Sequence, residues 1–262
     1  MWFEQRTRTY RTRPLKGRHG EQLNETQAKV AGFDLAAMQA AHALLIGAGG
    51  IGTSTATALV RKGLGQLTTC DDDLVEVKNL TRQLYSRDDV NRLKSHCLAR
   101  NLARAGLFPS TLISLPFRFQ ELLERGYDFG KVSVLIAGVD NNPSRKAACI
   151  YGLEQGVPVI HAAVSRAGNE LYVMVQEPGK ACWGCAFAHA VNDAQYPCNL
   201  PGILDVLQVV SGMIVYAIDS LIADRPRHWN VREVFLDGSL PDRTRTVERR
   251  ADCALCGSPA IS

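Results

Sequence analysis

The sequence lacks several features that would direct its interpretation elsewhere. Among its 262 residues there is no internal repeat, no low-complexity segment and no run of 18 or more apolar residues. The missing run argues against a membrane span. The polar start, Met-Trp-Phe-Glu-Gln-Arg, argues against a secretory signal. We therefore expect a cytoplasmic protein that makes no membrane contact.

Acidic residues are scarce at the N-terminal end. Residues 1–20 hold six basic residues and one acidic residue, although the whole chain has a net charge of only +4. Such an arm is typical of contacts with nucleic acid, an acidic partner or a neighbouring subunit, or of a solvated tail. No nucleic-acid fold signature accompanies it, so we do not expect nucleic-acid binding. We interpret residues 1–22 as a flexible or partner-contacting arm and residues 23–262 as one domain.

Apolar segments and helical patterns alternate along the rest of the chain, which is hydrophobic enough, at 46%, to bury one core. This alternation predicts an α/β fold, with a doubly wound, mainly parallel Rossmann-like sheet, helices on both faces and an antiparallel extension. The expected strands are 43–46, 66–70, 111–115, 132–137, 157–161, 171–176 and 231–236. The expected helices are 23–41, in which Gly32 is a candidate point of interruption, 51–62, 88–105, 143–154 and 203–223.

A glycine-rich turn follows the first apolar strand of the expected sheet. It contains Gly47, Gly49, Gly50 and Gly52. Gly47 permits a tight turn, Gly49 lets the backbone approach a phosphate, and Gly52 lets helix and strand pack closely. The amides of the following helix then face an anion. Alone, the turn indicates some nucleotide, and a strand–helix turn without any ligand is the alternative.

A polar, charged constellation follows the second strand. Asp71 comes 24 residues after Gly47, where a carboxylate can reach a ribose hydroxyl, and Asp73 follows it. Hydride transfer requires one acid here, whereas this chain adds cations and amides suited to a triphosphate. An isolated Arg or Lys would be a surface charge, but the ordered set argues against that. The additional residues are Asn79, Arg82, Gln83 and Lys94.

Another acid lies after the strand 132–137. Asp140 and Asn141 fall at the carboxyl end of that strand, where ligands bind in open α/β sheets. An acid there can hold Mg²⁺ against phosphate oxygens, so we interpret Asp140 as a Mg²⁺ ligand. The alternative is a helix cap before Pro143.

Four of the eight cysteines form two pairs, Cys182-x-x-Cys185 and Cys253-x-x-Cys256. Four thiolates suit a tetrahedral structural Zn²⁺, and a redox pair is the alternative. With 67 residues between the pairs, the metal would tie the end of the chain back to an earlier segment. A fully ligated Cys₄ site has no open position, so we expect no catalysis at it.

Taken together, these motifs strongly resemble the ThiF/MoeB/HesA superfamily, whose fold is shared with ubiquitin-activating enzymes. The match runs in family order from about residue 23 to residue 257. The pieces that carry it are Gly47-Ala-Gly-Gly-Ile-Gly52, Asp71-Asp-Asp-Leu-Val-Glu-Val-Lys-Asn-Leu-Thr-Arg-Gln83, Lys94, Asp140-Asn-Asn-Pro-Ser-Arg145 and the two cysteine pairs.

The resemblance implies adenylation of the C-terminal glycine of a small ubiquitin-like or sulfur-carrier protein, with MgATP consumed and pyrophosphate released. It implies that Asp71 binds ribose, that Asn79, Arg82 and Lys94 surround the phosphates, that Gln83 lines the site and that Asp140 holds Mg²⁺. It also implies a homodimer. The downstream step would be sulfur delivery or transfer of the modifier to a conjugating enzyme.

Two features separate this chain from the family pattern or add to it. The first helix of the family carries an arginine that reaches the partner subunit's ATP, but residues 23–27 read Leu-Asn-Glu-Thr-Gln. Arg13 or Arg18 of the basic arm could replace it. Cys198 lies in a Pro/Gly-rich loop before an expected helix, where a thiol pKa can fall. Sulfur-transferring and thioester-forming relatives carry a reactive cysteine in this crossover loop, so the resemblance predicts that Cys198 is the nucleophile; a packed or inert loop thiol is the alternative.

Two other functions are compatible with parts of the sequence. A nicotinamide-dependent oxidoreductase would use the glycine turn and Asp71, but would leave Arg82, Gln83 and the cysteine pairs without a purpose. A non-catalytic scaffold with the same fold would explain the missing arginine. Exchange of pyrophosphate into ATP, NADH turnover, and ATP binding without exchange distinguish the three.

Overall fold

The computed structural model describes residues 3–4, 6–165, 167–191, 202–223 and 225–257. Its strands form one nine-stranded sheet. They are β1 (Arg8–Arg11), β2 (His42–Ile46), β3 (Gln66–Cys70), β4 (Thr111–Leu115), β5 (Val134–Ala137), β6 (Val159–Val164), β7 (Glu170–Gln176), β8 (Val231–Phe235) and β9 (Arg243–Arg245). Their order across the sheet is β1-β4-β3-β2-β5-β6-β7-β8-β9.

Helices connect most of these strands. They are α1 (Arg18–Gln22), α2 (Leu35–Ala40), α3 (Gly50–Lys62), α4 (Lys94–Ala105), α5 (Phe119–Glu124), α6 (Asn142–Gln155), α7 (Trp183–Ala186) and α8 (Leu204–Ile222). Short 3₁₀ turns occur at Gln27–Lys29, Val77–Asn79, Arg87–Asp89 and Ala188–Ala190.

The centre of the sheet is parallel and both of its sides are antiparallel. Strands β4, β3, β2, β5 and β6 pair in parallel, which brings their carboxyl ends to one edge. Strands β1 and β7 to β9 pair antiparallel with their neighbours. The expected mixed α/β sheet is therefore confirmed, although its antiparallel part extends over more strands than the sequence predicted.

Adjacent side chains on the central strands point to opposite faces of the sheet. Leu45 faces α3, α4 and α8 in one apolar core, whereas Leu44 faces α5 and α6 in another. Both leucines are fully buried. Helices therefore cover both faces, which leaves the carboxyl edge of the parallel strands as the place where loops converge.

The N-terminal segment differs from the flexible arm that its charge suggested. Strand β1 pairs with β4 in register from Arg8 opposite Ser114 to Arg11 opposite Thr111. The buried hydroxyl of Thr12 donates to the carbonyl of Phe108 at 2.6 Å and accepts from the amide of Ser110 at 2.8 Å. Residues 8–12 are thus part of the fold, because the far edge of β4 needs a backbone partner.

Two expected helices have different boundaries. The segment 23–41 contains a 3₁₀ turn at Gln27–Lys29 and then α2, separated near Gly32, whose φ of 76° interrupts a helix. The helix expected over 88–105 begins at Lys94 instead. The Asp89 carboxylate accepts from the amide and hydroxyl of Ser86, so the Arg87–Asp89 turn forms a separate capped unit.

Helix α8 is long and apolar enough, by length and composition, to cross a membrane. It packs against α3 and against β6 and β7, and half of its most apolar window is buried in the protein. Its hydrophobic residues therefore complete the core on the side of Leu45.

Candidate active site

The loops at the carboxyl ends of β2, β3, β4 and β5 enclose a cleft of about 630 Å³. Within the described residues the cleft has acids, amides and cations on its walls, and the glycine turn at its base. The residues that the sequence predicted and that line it are Gly47, Gly49, Gly50, Asp71, Asp73, Asn79, Arg82, Gln83, Lys94, Asp140 and Asn141. The structure therefore brings the predicted nucleotide residues together.

The glycine turn has the geometry that its sequence predicts. Gly47 has φ of 89°, and an added Cβ there would meet the carbonyl of Gly138 at 2.9 Å. A Cβ on Gly52 would lie 2.0 Å from the carbonyl oxygen of Gly47, so turn and helix pack without room for a side chain. Gly50 is the first residue of α3, and a Cβ there would lie 2.5 Å from Cδ1 of Leu207. The first amides of α3 are thus held at the base of the cleft, as an anion requires.

Asp71 joins the end of β3 to the glycine turn. Its Oδ2 accepts from the amide of Ala48 at 2.7 Å, and its Oδ1 accepts from the amide of Asp73 at 2.9 Å. Burial raises the pKa of Asp71 to about 6, against the opposing effect of the Lys94 ammonium. Each oxygen keeps a second lone pair that a ribose hydroxyl can use.

Lys94 lies at the start of α4 with its side chain almost wholly buried. Its Nζ donates to Oδ2 of Asp73 at 2.8 Å, and its amide donates to the carbonyl of Asp73 at the same distance. Asp72, between the two acids, also lines the cleft and accepts from Nε of Arg118 at 3.1 Å. The buried ammonium of Lys94 therefore lines the cleft next to the exposed carboxylate of Asp73.

The two amide side chains after the second parallel strand have different roles: Asn79 stabilises a turn, whereas Gln83 has an oxygen that can still accept a hydrogen bond. Oδ1 of buried Asn79 accepts from the amide of Glu76 at 2.9 Å, which caps the Val77–Asn79 turn. Gln83 is also buried, but its Oε1 has no hydrogen-bond partner among the described residues. Arg82 donates to the carbonyl of Lys78 through one Nη at 2.9 Å, and both line the cleft. Gln83 and Arg82 therefore have groups available to a ligand.

The segment after β5 combines a helix cap with an exposed acid. Asn141 caps α6 by accepting from the amide of Ser144 at 2.9 Å, so the capping alternative holds for this residue. Asp140 is exposed on the cleft wall, with a 3.5 Å contact from the Asn141 amide group. An exposed carboxylate with such a long contact can turn towards a ligand, and carboxylate oxygens are ligands that Mg²⁺ prefers. Asp140 therefore fits a Mg²⁺ site.

Two cleft residues were not singled out from the sequence. Arg145 is buried, with one Nη donating to the carbonyl of Val139 at 2.7 Å, while its Nε lacks a partner among the described residues. Arg118 also lines the cleft, beside Asp72, with its side chain 76% exposed. Arg145 was visible as the end of the Asp140 motif, whereas nothing in the local sequence marks Arg118.

The four paired cysteines form one buried cluster. Their Sγ atoms lie within 4.8 Å of one another. The Sγ–Sγ distances are 3.8 Å for Cys182–Cys185, 3.6 Å for Cys182–Cys253 and 3.4 Å for Cys185–Cys256. These lengths exceed a disulfide bond and approach the separation of about 3.8 Å that a tetrahedral zinc with Zn–S bonds of ~2.3 Å requires. The cluster could therefore hold a metal.

Buried polar groups separate the cleft from the cysteine cluster. His161 on β6 lies against the Trp183 ring at a centroid distance of 6.0 Å. Burial, and then Arg145, lower the pKa of His161 to about 3, so its ring is neutral. Neither of its nitrogens makes a hydrogen bond of ordinary geometry to a described residue. A neutral ring at this pKa is a poor general base.

Cys198, the predicted nucleophile, lies outside the described residues, in the segment 192–201. Its prediction rests on sequence alone. Three cysteines outside the cluster are buried in the apolar cores: Cys70, Cys97 and Cys149.

The sequence matches the model of the ThiF family over residues 21–255. The chain is 28% identical over 229 residues to the SAMP-activating enzyme E1 of Haloferax volcanii, covering 83% of this chain and 81% of the relative. It is 29% identical over 225 residues to the sulfur carrier protein ThiS adenylyltransferase of Escherichia coli, covering 82% and 85%. A third relative is the adenylyltransferase and sulfurtransferase MOCS3 of Xenopus laevis, 28% identical over 84% of this chain but only 49% of its own length.

Solved structures show the same fold at lower identity. The structure of E. coli MccB with ATP has a TM-score of 0.69 and 19% identity, covering 85% of this chain and 68% of that one. PaaA has a TM-score of 0.68 and 17% identity, covering 91% and 76%. The family match spans most of the chain and includes the described cleft residues and three of the four clustered cysteines, ending one residue before Cys256. The predicted membership is therefore confirmed, and so is the enzyme class: the chain is an adenylyltransferase of the ThiF family.

Proposed function

We propose that this protein adenylates the C-terminal glycine of a small ubiquitin-like or sulfur-carrier protein. A carboxylate oxygen of that glycine forms a bond to the α-phosphorus of ATP, and the bond to the departing pyrophosphate breaks. The relatives named for ThiS and SAMP support this substrate class. The observation that carries the proposal is the cleft, in which Lys94 is buried near the glycine turn while Gln83 Oε1 has no hydrogen-bond partner among the described residues.

The positions of the charged groups fit a triphosphate. Amides at the start of α3 offer donors at the base of the cleft, and Lys94 adds a cation on one wall. Arg82 and Arg145 add two guanidinium groups within the same lining. Such preorganised donors stabilise charge that develops on the leaving pyrophosphate. The diphosphate of a nicotinamide cofactor carries less negative charge than a triphosphate and would use fewer of these cations.

We also propose that Mg²⁺ and Zn²⁺ take part. Asp140 would hold Mg²⁺, which neutralises charge on phosphate oxygens when it is bound. Zn²⁺ would join Cys182 and Cys185 to Cys253 and Cys256 and serve structure alone, because four thiolates leave no open position.

The later steps remain proposals from the sequence. The acyl-adenylate would be captured by the thiol of Cys198 as a thioester, with AMP leaving, and the carrier would then pass to a conjugating enzyme or a sulfur-transfer step. We propose a cytoplasmic homodimer as the working form. Two large apolar residues are exposed at α8: Val209 within the helix, at 40%, and Ile203, the residue before its first turn, at 62%. They support a protein contact at this helix.

The decisive experiment mixes the purified protein with MgATP and a ubiquitin-like protein encoded nearby. We expect labelled pyrophosphate to exchange into ATP only when the carrier ends in glycine, and intact mass to show carrier-adenylate. A carrier without its last glycine is the matched control. ATP binding without exchange would instead favour a scaffold, and NADH turnover would favour an oxidoreductase. A Cys198→Ala variant that still forms a thiol-sensitive adduct would refute the role of Cys198.

A further inference from the structure

A second cavity, of about 420 Å³, lies between β1, the first turns of α4 and the loop before α4. Its size falls within the range of ordinary ligand pockets. The bridge between Leu74 and Leu93 separates it from the nucleotide cleft, since Asp73 and Lys94 line the cleft while these two leucines line the second cavity. We call it the β1–α4 cavity.

Basic side chains from three segments meet at this cavity. Arg8 comes from β1, Arg92 from the loop, and His96 and Arg100 from α4. None of the described residues that line it is acidic. Arg100 is compensated by an ion pair with buried Asp89, but no ion pair joins Arg8 or Arg92 to a carboxylate of the described residues. The cavity therefore has an excess of positive charge.

The surroundings of His96 are consistent with this charge. Its Nδ1 lies 2.8 Å from the hydroxyl of Ser114, which fixes the ring beside β1. Burial, followed by the nearby Arg8 and Arg6, lowers the pKa of His96. Two basic residues of the segment 1–20, Arg6 and Arg8, therefore lie close to His96 in the folded chain and contribute positive charge at this cavity.

Two further features distinguish a peptide from a small inorganic anion as the occupant. Leu74 is 48% exposed at the cavity, and Tyr10 and Leu93 add apolar surface that phosphate would not use. Strand β1 is also the last strand of the sheet, so its outer edge has no strand partner among the described residues. An extended peptide can pair with such an edge through its backbone.

We propose that the β1–α4 cavity binds an acidic peptide segment of a partner protein, in which carboxylates alternate with a hydrophobic side chain. The carboxylates pair with Arg8 and Arg92, and the hydrophobic side chain contacts Leu74. This site is separate from the nucleotide cleft and does not depend on the proposed adenylation. Edge pairing gives affinity, while the charges select the partner and exclude basic strands.

The test is fluorescence anisotropy of the full chain with a labelled hexapeptide of alternating glutamate and leucine. We expect saturable binding that weakens at least roughly tenfold in Arg8→Glu and in Arg92→Glu, because a favourable charge pair becomes a repulsive one. Arg104→Glu is the matched control, since Arg104 is an exposed residue of α4 that does not line the cavity. Circular dichroism and the thermal midpoint check that each variant is folded.

Competition arms decide the nature of the occupant. Saturating MgATP should leave peptide binding unchanged, and a peptide of alternating lysine and leucine should not bind. Unchanged affinity in both charge-reversal variants, or displacement by MgATP, would overturn the proposal. So would displacement by inorganic phosphate beyond that of chloride at equal ionic strength, or by a single-stranded oligonucleotide at a lower concentration than unlabelled peptide.

Discussion

Nζ of Lys94 lies 2.8 Å from Oδ2 of Asp73, and the two side chains differ greatly in exposure, at 9% and 66%. The ammonium is buried in the wall of the cleft, while its carboxylate partner faces solvent. Because the amide of Lys94 also bonds the carbonyl of Asp73, the first turn of α4 is fixed to the end of β3. Asp73 therefore holds the cation in place for a more highly charged anion.

Removing the Lys94 ammonium should weaken MgATP binding. A charge-assisted hydrogen bond contributes about 1.5–3 kcal/mol, so Lys94→Ala should lose roughly 10- to 100-fold in affinity by calorimetry. Lys94→Arg keeps the charge and should recover part of the loss. Asp73→Asn should have a smaller effect, since the exposed carboxylate positions the ammonium without contacting ligand. Equal losses in all three variants would contradict this division.

Adenosine binding should depend on the ionisation of Asp71, whose pKa burial raises to about 6. The ionised carboxylate is the better acceptor for ribose hydroxyls, so affinity should fall as the pH drops through about 6. Adenosine is the probe because none of its groups titrates near that pH. Calorimetry between about pH 5 and pH 8 measures the effect.

Asp71→Asn supplies the matched control for that profile. Its affinity should be lower and nearly constant with pH, because the titrating group is gone. The raised pKa also means that the folded chain holds the Asp71 proton more tightly than the unfolded chain. The contribution of this group to stability is therefore present at low pH and is lost as the pH rises from about 4 to about 6. A pH profile of Asp71→Asn that matches the native protein would refute the assignment.

Asp140→Asn should raise the Mg²⁺ concentration needed for half-maximal pyrophosphate exchange, and leave the thermal midpoint nearly unchanged. The residue is exposed and its contact with the Asn141 amide is long, at 3.5 Å, so folding does not depend on it. Asn141→Ala is the comparison, because it removes the cap of α6 and should lower stability by about 1 kcal/mol. An unaltered Mg²⁺ requirement in Asp140→Asn would place the metal elsewhere.

The cysteine cluster should bind one zinc ion per chain. Cys253→Ser should abolish that metal content and lower the thermal midpoint by roughly 10 °C, the shift that about 4 kcal/mol produces in a chain of this size. Elemental analysis and calorimetric scanning measure both quantities. Cys97→Ala, at a buried cysteine outside the cluster, should keep the zinc. Full zinc content in Cys253→Ser would show that the cluster is not the ligand set.

Thr12→Val should destabilise the chain by about 2 kcal/mol, because it leaves the Ser110 amide without its acceptor. That loss corresponds to a fall of roughly 4–8 °C in the thermal midpoint. Thr9→Val on the exposed face of the same strand should change little. If Thr12→Val were as stable as the native protein, the contacts of residues 8–12 with the fold would not stabilise it. The flexible arm expected from the sequence would then be favoured.

The strands with buried apolar sequences were the most predictable elements. The bounds of Gln66–Cys70 and Thr111–Leu115 coincide with those expected, because a short apolar or β-branched run between turn residues has few alternatives. Strand β1 was missed because Arg8-Thr9-Tyr10-Arg11 is highly charged, and its partner β4 lies about a hundred residues away. Pairing of that kind is decided by tertiary structure.

In the candidate site, too, local motifs were predictable from the sequence, whereas contacts made by tertiary structure were not. Motif spacing located Gly47, Asp71 and the cysteine pairs, because each motif is local and its chemistry limits the residue types. The contact of Asp71 with the Ala48 amide joins two loops 23 residues apart, and no local pattern indicates it. Arg118 entered the cleft wall through the packing of α5, which the sequence did not predict.

Cys182 and Cys253 are 71 residues apart in sequence, although their sulfurs are 3.6 Å apart. A ribosome therefore makes Cys182 and Cys185 long before the thiols that complete the cluster, while the central strands β2 to β6 have already left it. Since α8, β8 and β9 lie between the two cysteine pairs and belong to the same core and sheet, the metal site closes only when the fold itself is nearly complete. During that interval the two waiting thiols are open to oxidation, so the supply of zinc and reductant during expression should decide how much protein reaches its final form.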